Sequence, residues 1–174
     1  VPPSALLTLP NVISLARLPL AVLFLFADTT AERLTILGIA SASDFIDGWL
    51  ARRVGRTTRT GALLDPIADK TFVLAALTAF VRTDALATGE YFVILARDLA
   101  TAIGFLVAWR LPGLDPRNFK ARLSGKIVTV LQLAAILALT VSPQAMRWMV
   151  PVIGVMSVAS IIDYTLVLHR TRQR

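Results

Sequence analysis

Six apolar segments, at about 11 to 27, 33 to 51, 61 to 81, 88 to 109, 124 to 141 and 147 to 168, occupy most of a 174-residue chain, with only short polar or Pro- and Gly-containing connectors between them. Each is close to the roughly 20 residues that a helix needs to cross a bilayer. The pattern predicts an all-α, polytopic integral membrane protein with six transmembrane helices, arranged as a single domain over 1–174. Residues 1–10 are read as a segment lying along the lipid interface.

Composition agrees with this. The chain is 56% hydrophobic, has no cysteine and carries a net charge of +7, and its mean hydropathy is +0.70. Without cysteine there is neither a disulfide framework nor a thiolate metal site. So much positive charge can point to nucleic acid, but a basic soluble domain does not carry this much apolar sequence, and no nucleic-acid partner is expected. The membrane accounts for both features, because basic residues gather in cytoplasmic loops. With both termini in the cytoplasm, that side holds Arg52, Arg53, Arg56, Arg59, Arg110, Arg117, Lys120, Arg122, Lys126, Arg170, Arg172 and Arg174, against Arg33, Arg82 and Arg147 opposite. The opening VPPSALLTLPN has neither the basic start nor the cleavage pattern of a secretory signal, so its removal is not expected, and the lack of an initiating Met suggests a trimmed chain.

The stretch SDFIDGWLARRVGRTTRTGALLDPIADK breaks the apolar pattern. On a helical second segment, Asp44, Asp47, Gly48, Ala51 and Arg52 recur at i, i+3, i+4, i+7 and i+8 and share one face; on the third, Gly61, Asp65 and Asp69 recur every fourth residue and again share a face. At 1.5 Å per residue, Asp47 and Asp65 lie about 6 to 7 Å into their segments and Asp44 and Asp69 about 12 Å, so the two pairs fall at matched depth. Four carboxylates in one pocket repel one another unless cations compensate, and the segments offer too few buried Lys or Arg for plain ion pairing. Hard divalent cations with oxygen ligands, Mg²⁺ or Mn²⁺, are expected instead, and two of them would neutralise four charges. Gly48, Ala51 and Gly61 leave room for a ligand to approach the backbone, and Arg52 with the loop arginines suits a phosphate-bearing substrate. The site is expected to open toward the cytoplasm, where a nucleotide headgroup can enter while acyl chains stay in lipid.

Written as a pattern, residues 44 to 69 read D-x2-D-G-x2-A-R-x8-G-x3-D-x3-D. With this signature, the six-segment plan and the opening LPNVISLARLPLA, the chain resembles the CDP-alcohol phosphotransferases over nearly its whole length. The resemblance implies transfer of a substituted phosphate from a CDP-linked donor to an alcohol, with release of CMP, by a homodimer in a bacterial cytoplasmic membrane. It implies that Asp44, Asp47, Asp65 and Asp69 bind metal, that Asp69 is also the base for the acceptor hydroxyl, and that Gly48, Ala51, Arg52 and Gly61 bind the donor nucleotide. LDPIADK resembles the branch that uses CDP-diacylglycerol to make phosphatidylglycerophosphate or cardiolipin. The phosphatidylglycerophosphate synthases of that branch usually carry Arg-Glu in the fourth helix and a further Arg two turns on. Here Arg97 is followed by Asp98, and Phe105 stands at the later position, closer to the cardiolipin synthases, whose acceptor is phosphatidylglycerol. Glycerol 3-phosphate is the alternative acceptor.

The remaining polar residues have simpler readings beside the functional ones. Arg17 either snorkels to the interface or meets substrate. Arg97 is a candidate acceptor or phosphate ligand, with Arg97 and Asp98 expected to find partners on other helices rather than each other, since neighbours diverge by about 100°. Lys126 binds an anion or is an ordinary cytoplasmic-side charge, Gly154 allows close helix packing such as a dimer contact, and Trp109 and Trp148 are interfacial anchors. The competing class is a cation transporter, whose ion site is expected at mid-bilayer on interrupted helices.

Overall fold

The computed structural model describes residues 15–54, 61–110 and 123–172, with side chains described for 15–43, 46, 67–104 and 125–165. Among the described residues every element is helical and there is no strand. The helices are α1 (Arg17–Phe26), α2 (Thr30–Val54), α3 (Gly61–Arg82), α4 (Thr88–Arg110), α5 (Leu123–Val141) and α6 (Met146–Arg172), with a 3-10 turn (Pro143–Ala145) leading into α6. They correspond one to one with the six apolar segments. The chain divides into two compact units, Val1–Ala85 and Leu86–Arg174.

In the first unit α1 packs on α3 and on α2. One stripe of α1 is enclosed: Arg17, Ala21 and Phe24, at i, i+4 and i+7. Phe24 is fully buried and meets two rings of α3 edge-on, Phe72 at 5.8 Å and Phe80 at 5.9 Å between centroids. Such edge-to-face pairs place the positive ring edge on the negative ring face and add to the packing itself. The carbonyls at the end of α1 are answered by two arginines: Arg33 Nε donates to Ala27 O at 3.1 Å, and Arg82 Nη1 donates to Leu25 O at 3.3 Å. The same guanidinium groups lie over Phe80 and Phe26 respectively.

Local sequence sets the helix ends. Thr29 and Glu32 form a capping box at the start of α2, in which the Glu32 N–H donates to Thr29 Oγ1 at 3.2 Å while Glu32 Oε2 accepts from the N–H of Thr29 at 3.0 Å. The Thr29 amide and hydroxyl, with the Asp28 amide, hold the Glu32 carboxyl below its ordinary range. Glu90 repeats half of this device, accepting from the Ala87 N–H ahead of α4. At the other end of α3, Ala85 N–H donates to Phe80 O and Asp84 N–H to Val81 O, a Schellman ending. Its left-handed position is held by Asp84 with φ 54°, where glycine is the unstrained choice.

In the second unit α6 packs against both α4 and α5. The buried residues of α5 include Val128, Gln132, Ala135, Ile136 and Leu139, and those of α6 include Ile153, Ser157 and Ser160. Small residues on α6 admit close approach: a Cβ at Gly154 would stand 3.2 Å from Val93 Cγ1 of α4. Gly154 is thus a close-packing position between α6 and α4, as its lack of a side chain led one to expect. Several hydroxyls donate within their own helices, as where Thr78 donates to Leu74 O and Thr140 to Ile136 O, whereas the buried Ser157 hydroxyl makes no hydrogen bond among the described residues.

Large apolar side chains face outward in both units: Val22, Leu23, Phe26, Ile39 and Ile67 in the first, and Ile103, Val130, Trp148, Val155 and Ile162 in the second. Among the described residues one stretch, Pro143–Thr165, is clearly long and apolar enough to cross a membrane. The expectation of six such helices meets that measure at one. α2, α3 and α4, at 25, 22 and 23 residues, have the length, about 33 Å or more at 1.5 Å per residue, but carry charges, and α1 is described over 10 residues only.

The strain at Asp84 makes a simple test of the α3 ending. Asp84→Gly is expected to be neutral to stabilising, by up to about 1 kcal/mol, as the left-handed penalty is removed. Thermal unfolding in detergent checks it.

Candidate active site

The backbone of the aspartate motif is as the periodicity requires. Residues 44 to 54 lie within α2 and residues 61 to 69 within α3, both continuous helices. Asp44 and Asp47 therefore sit one turn apart on α2, and Asp65 and Asp69 one turn apart on α3. Neither helix is interrupted in the motif, unlike the broken helices expected of a transporter site. The side chains of Asp44, Asp47, Gly48, Ala51, Arg52, Gly61 and Asp65 lie outside the described ones. Asp69 is described and is half-buried on α3, as is Lys70 beside it. Among the described residues no group of three acidic or histidine side chains gathers at one point. The donor set itself, four carboxylates on two helices, consists of hard oxygen and suits Mg²⁺ or Mn²⁺.

Arg17 is enclosed, with only 3% of its surface exposed, on the stripe of α1 that carries Ala21 and Phe24. The snorkelling reading is therefore corrected.

A second polar cluster lies in the other unit. Arg97 Nη1 donates to Asp98 Oδ1 at 3.0 Å, and both side chains are nearly enclosed, 11% and 12% exposed. Asp98 Oδ2 accepts from Gln132 Nε2 of α5 at 2.7 Å, and the same amide group donates to Ile94 O at 2.9 Å. Gln132 is fully buried. The Arg97 guanidinium lies 5.8 Å from the ring centroid of Tyr164 on α6. It also fills the space where a side chain at 125 would be: a Cβ built on Gly125 would collide with Nη2 and stand 3.1 Å from Cζ. Lys126, the next residue, is exposed.

This corrects one expectation and extends another. Neighbouring Arg97 and Asp98 do pair directly, because the arginine stem is long enough to curl around the helix, and an unanswered charge in the interior costs more than the bend. Asp98 also reaches another helix, as expected, but through Gln132. Gly125 and Gln132 fall in ARLSGKIVTVLQ, residues 121 to 132, a stretch that in sequence resembles the cardiolipin synthases but assigns neither residue a role; the visible signal was an amide seven residues beyond a glycine in an otherwise apolar helix, one face two turns apart.

Residues 7–162 match the family model for CDP-alcohol phosphatidyltransferase, across both units. The chain belongs to this family. It is 33% identical over 150 residues, covering 75% of each chain, to the CDP-diacylglycerol–glycerol-3-phosphate 3-phosphatidyltransferase of Bacillus subtilis. To the protein of the same name from Aquifex aeolicus it is 34% identical over 103 residues, 56% of this chain and 58% of that one. To a cardiolipin synthase (CMP-forming) of Streptomyces coelicolor it is 35% identical over 111 residues, 58% of this chain and 52% of that one. Apart from the Bacillus subtilis match, the chain thus spans between half and three-fifths of these relatives.

The enclosed ion pair is the feature most exposed to mutation. Asp98→Ala leaves the Arg97 charge unanswered inside the unit and is expected to cost about 3 kcal/mol of stability, the usual penalty for breaking a buried pair from one side. Unfolding in detergent, compared with the milder Asp98→Asn, measures it.

Proposed function

We propose that this protein is an integral membrane phosphatidyltransferase that moves the phosphatidyl group of CDP-diacylglycerol to a glycerol-type alcohol and releases CMP. The observation that carries this reading is the complete eight-residue signature, from Asp44 to Asp69, carried on two uninterrupted helices of a family member. The membrane placement is supported by the many large apolar side chains that face outward and by the apolar stretch Pro143–Thr165, since a helix in lipid presents apolar surface to it. The excess of basic residues in alternate loops favours a site facing the cytoplasm.

Asp44, Asp47, Asp65 and Asp69 are the proposed ligands of two divalent cations, which when bound would neutralise the donor diphosphate. Gly48, Ala51 and Gly61 leave space for the cytidine nucleotide, and Arg52 draws its phosphates by charge. Asp69 accepts the proton of the acceptor hydroxyl. The freed oxygen bonds to the phosphorus that carries diacylglycerol, the bond from that phosphorus to the bridging oxygen breaks, and CMP departs with the electron pair. The chain supplies position and charge; no Ser, Cys or His nucleophile accompanies the motif.

For the acceptor, Arg97 is the proposed anchor of its phosphate. Because Asp98 already takes part of that charge, the site suits a singly charged phosphodiester, as in phosphatidylglycerol, better than a phosphomonoester. The printed names of the Bacillus subtilis and Aquifex aeolicus relatives favour glycerol 3-phosphate, and this is the second reading. A homodimer belongs to the same proposal.

Purified protein is expected to release CMP from CDP-diacylglycerol only with Mg²⁺ or Mn²⁺, and Asp69→Asn to lower the rate by about a hundredfold or more, the usual loss for a removed general base. Metal-independent turnover would defeat the cation proposal, and unchanged turnover in Asp69→Asn would remove it as the base. With phosphatidylglycerol and glycerol 3-phosphate offered in parallel, cardiolipin is the expected product; dominant phosphatidylglycerophosphate reverses the acceptor reading.

A further inference from the structure

Gln132 is fully buried and spends two hydrogen bonds on α4, one on Ile94 O and one on Asp98 Oδ2. A buried amide in an apolar helix is costly unless it is satisfied, and its satisfaction here fixes the rotation of the Asp98 carboxylate. Oδ2 is turned to Gln132, and it is Oδ1 that accepts from Arg97 Nη1. The carboxylate is thereby prevented from closing a two-pronged grip on the guanidinium.

The rest of the guanidinium is left differently. Arg97 Nε is buried and makes no hydrogen bond among the described residues. Nη2 lies against Gly125, in the space a side chain there would fill, with Nε on the same side at 3.6 Å from the built Cβ position. Nε and Nη2 together form one edge of the arginine fork, whose paired parallel N–H groups match two oxygens of a phosphate. Gly125 sits in the first turn of α5, whose free N–H groups carry partial positive charge, so a second cation pressed there is unfavourable unless an anion joins the two.

We propose that Gln132, acting through Asp98, and Gly125, by its missing side chain, are positioning residues that reserve the Nε–Nη2 edge of Arg97 for an oxyanion, the phosphate of the acceptor. The inference rests on the proposed acceptor role of Arg97 and adds which edge of it serves and what keeps that edge free. Without Gln132, Asp98 can rotate and offer both oxygens to Arg97, withdrawing N–H groups from the acceptor. With a side chain at 125, the guanidinium is pushed away from its place. The two changes differ in chemistry and position but converge on one consequence.

The test is steady-state kinetics of the full chain in detergent, with CDP-diacylglycerol and phosphatidylglycerol or glycerol 3-phosphate varied in turn, for wild type, Gln132→Met and Gly125→Ala. Methionine keeps the length of glutamine and removes its donors. Each variant is expected to raise the KM for the acceptor about tenfold, the scale of one lost charge-assisted hydrogen bond, while the KM for CDP-diacylglycerol stays unchanged. Thermal unfolding separates this from loss of folded protein, which would lower kcat and leave both KM values in place; whichever variant folds decides the question. An unchanged acceptor KM in a folded, active variant overturns the positioning role and leaves the proposed function standing. A wild-type protein that releases no CMP with either acceptor overturns the proposed function, and this inference with it.

Discussion

A charge enclosed among helices has to be answered by a partner in the same bundle, and this constraint organises both units. Half-buried Arg33 and exposed Arg82 meet the milder form of it, answering the open carbonyls at the end of α1. Arg97 is answered by Asp98, and the outer oxygen of Asp98 by Gln132, which passes its remaining donor to a backbone carbonyl. Each link exists because the preceding one leaves a polar atom that cannot be left bare in a low-dielectric interior. The hydroxyls that donate one turn back along their own helices follow the same rule at lower cost. The rule leaves exceptions, the buried Nε of Arg97 and the buried hydroxyl of Ser157 in the second unit, neither of which makes a hydrogen bond among the described residues.

The inward placement of polar groups has a counterpart on the outside. Phe26, Ile103, Val130, Val155 and Ile162 would be poor surface residues in water, where contiguous apolar area invites association. In the lipid setting proposed above they would cost nothing, and packing between helices would then come from shape, as in the edge-to-face rings around Phe24 in one unit and the close approach at Gly154 of α6 in the other.

The helices were legible in sequence because membrane-length apolar runs leave little choice of secondary structure, and from α2 to α6 their ends fell within a few residues of the predicted bounds. The aspartate motif was legible for a related reason: carboxylates in an apolar segment are conspicuous, and i, i+3 and i, i+4 spacing on a helix has one geometric meaning. Partners across helices were not legible. The pairing of Arg97 with its own neighbour depends on how a flexible stem packs, and the approach of Gln132 to Asp98 depends on the register of α5 against α4, which no periodicity encodes. Arg17 was misjudged for the same reason: its position near a helix start suits snorkelling, and only the packing of α1 on α3 shows that it lies on the enclosed stripe.

The choice of aspartate at 98 also follows from these contacts. Its short side chain stays close to the α4 backbone, so Arg97 must bend back to reach it and meets it through one nitrogen only. Glutamate, one methylene longer, would carry its carboxylate farther out, with more freedom to take the guanidinium by two nitrogens or to swing clear of it. Gln132 would then lie nearer the stem than the carboxylate oxygens. The carboxylate at 98 and the amide at 132 are joined by one hydrogen bond, and the same carboxylate holds Arg97, so a change at either position is felt at the guanidinium.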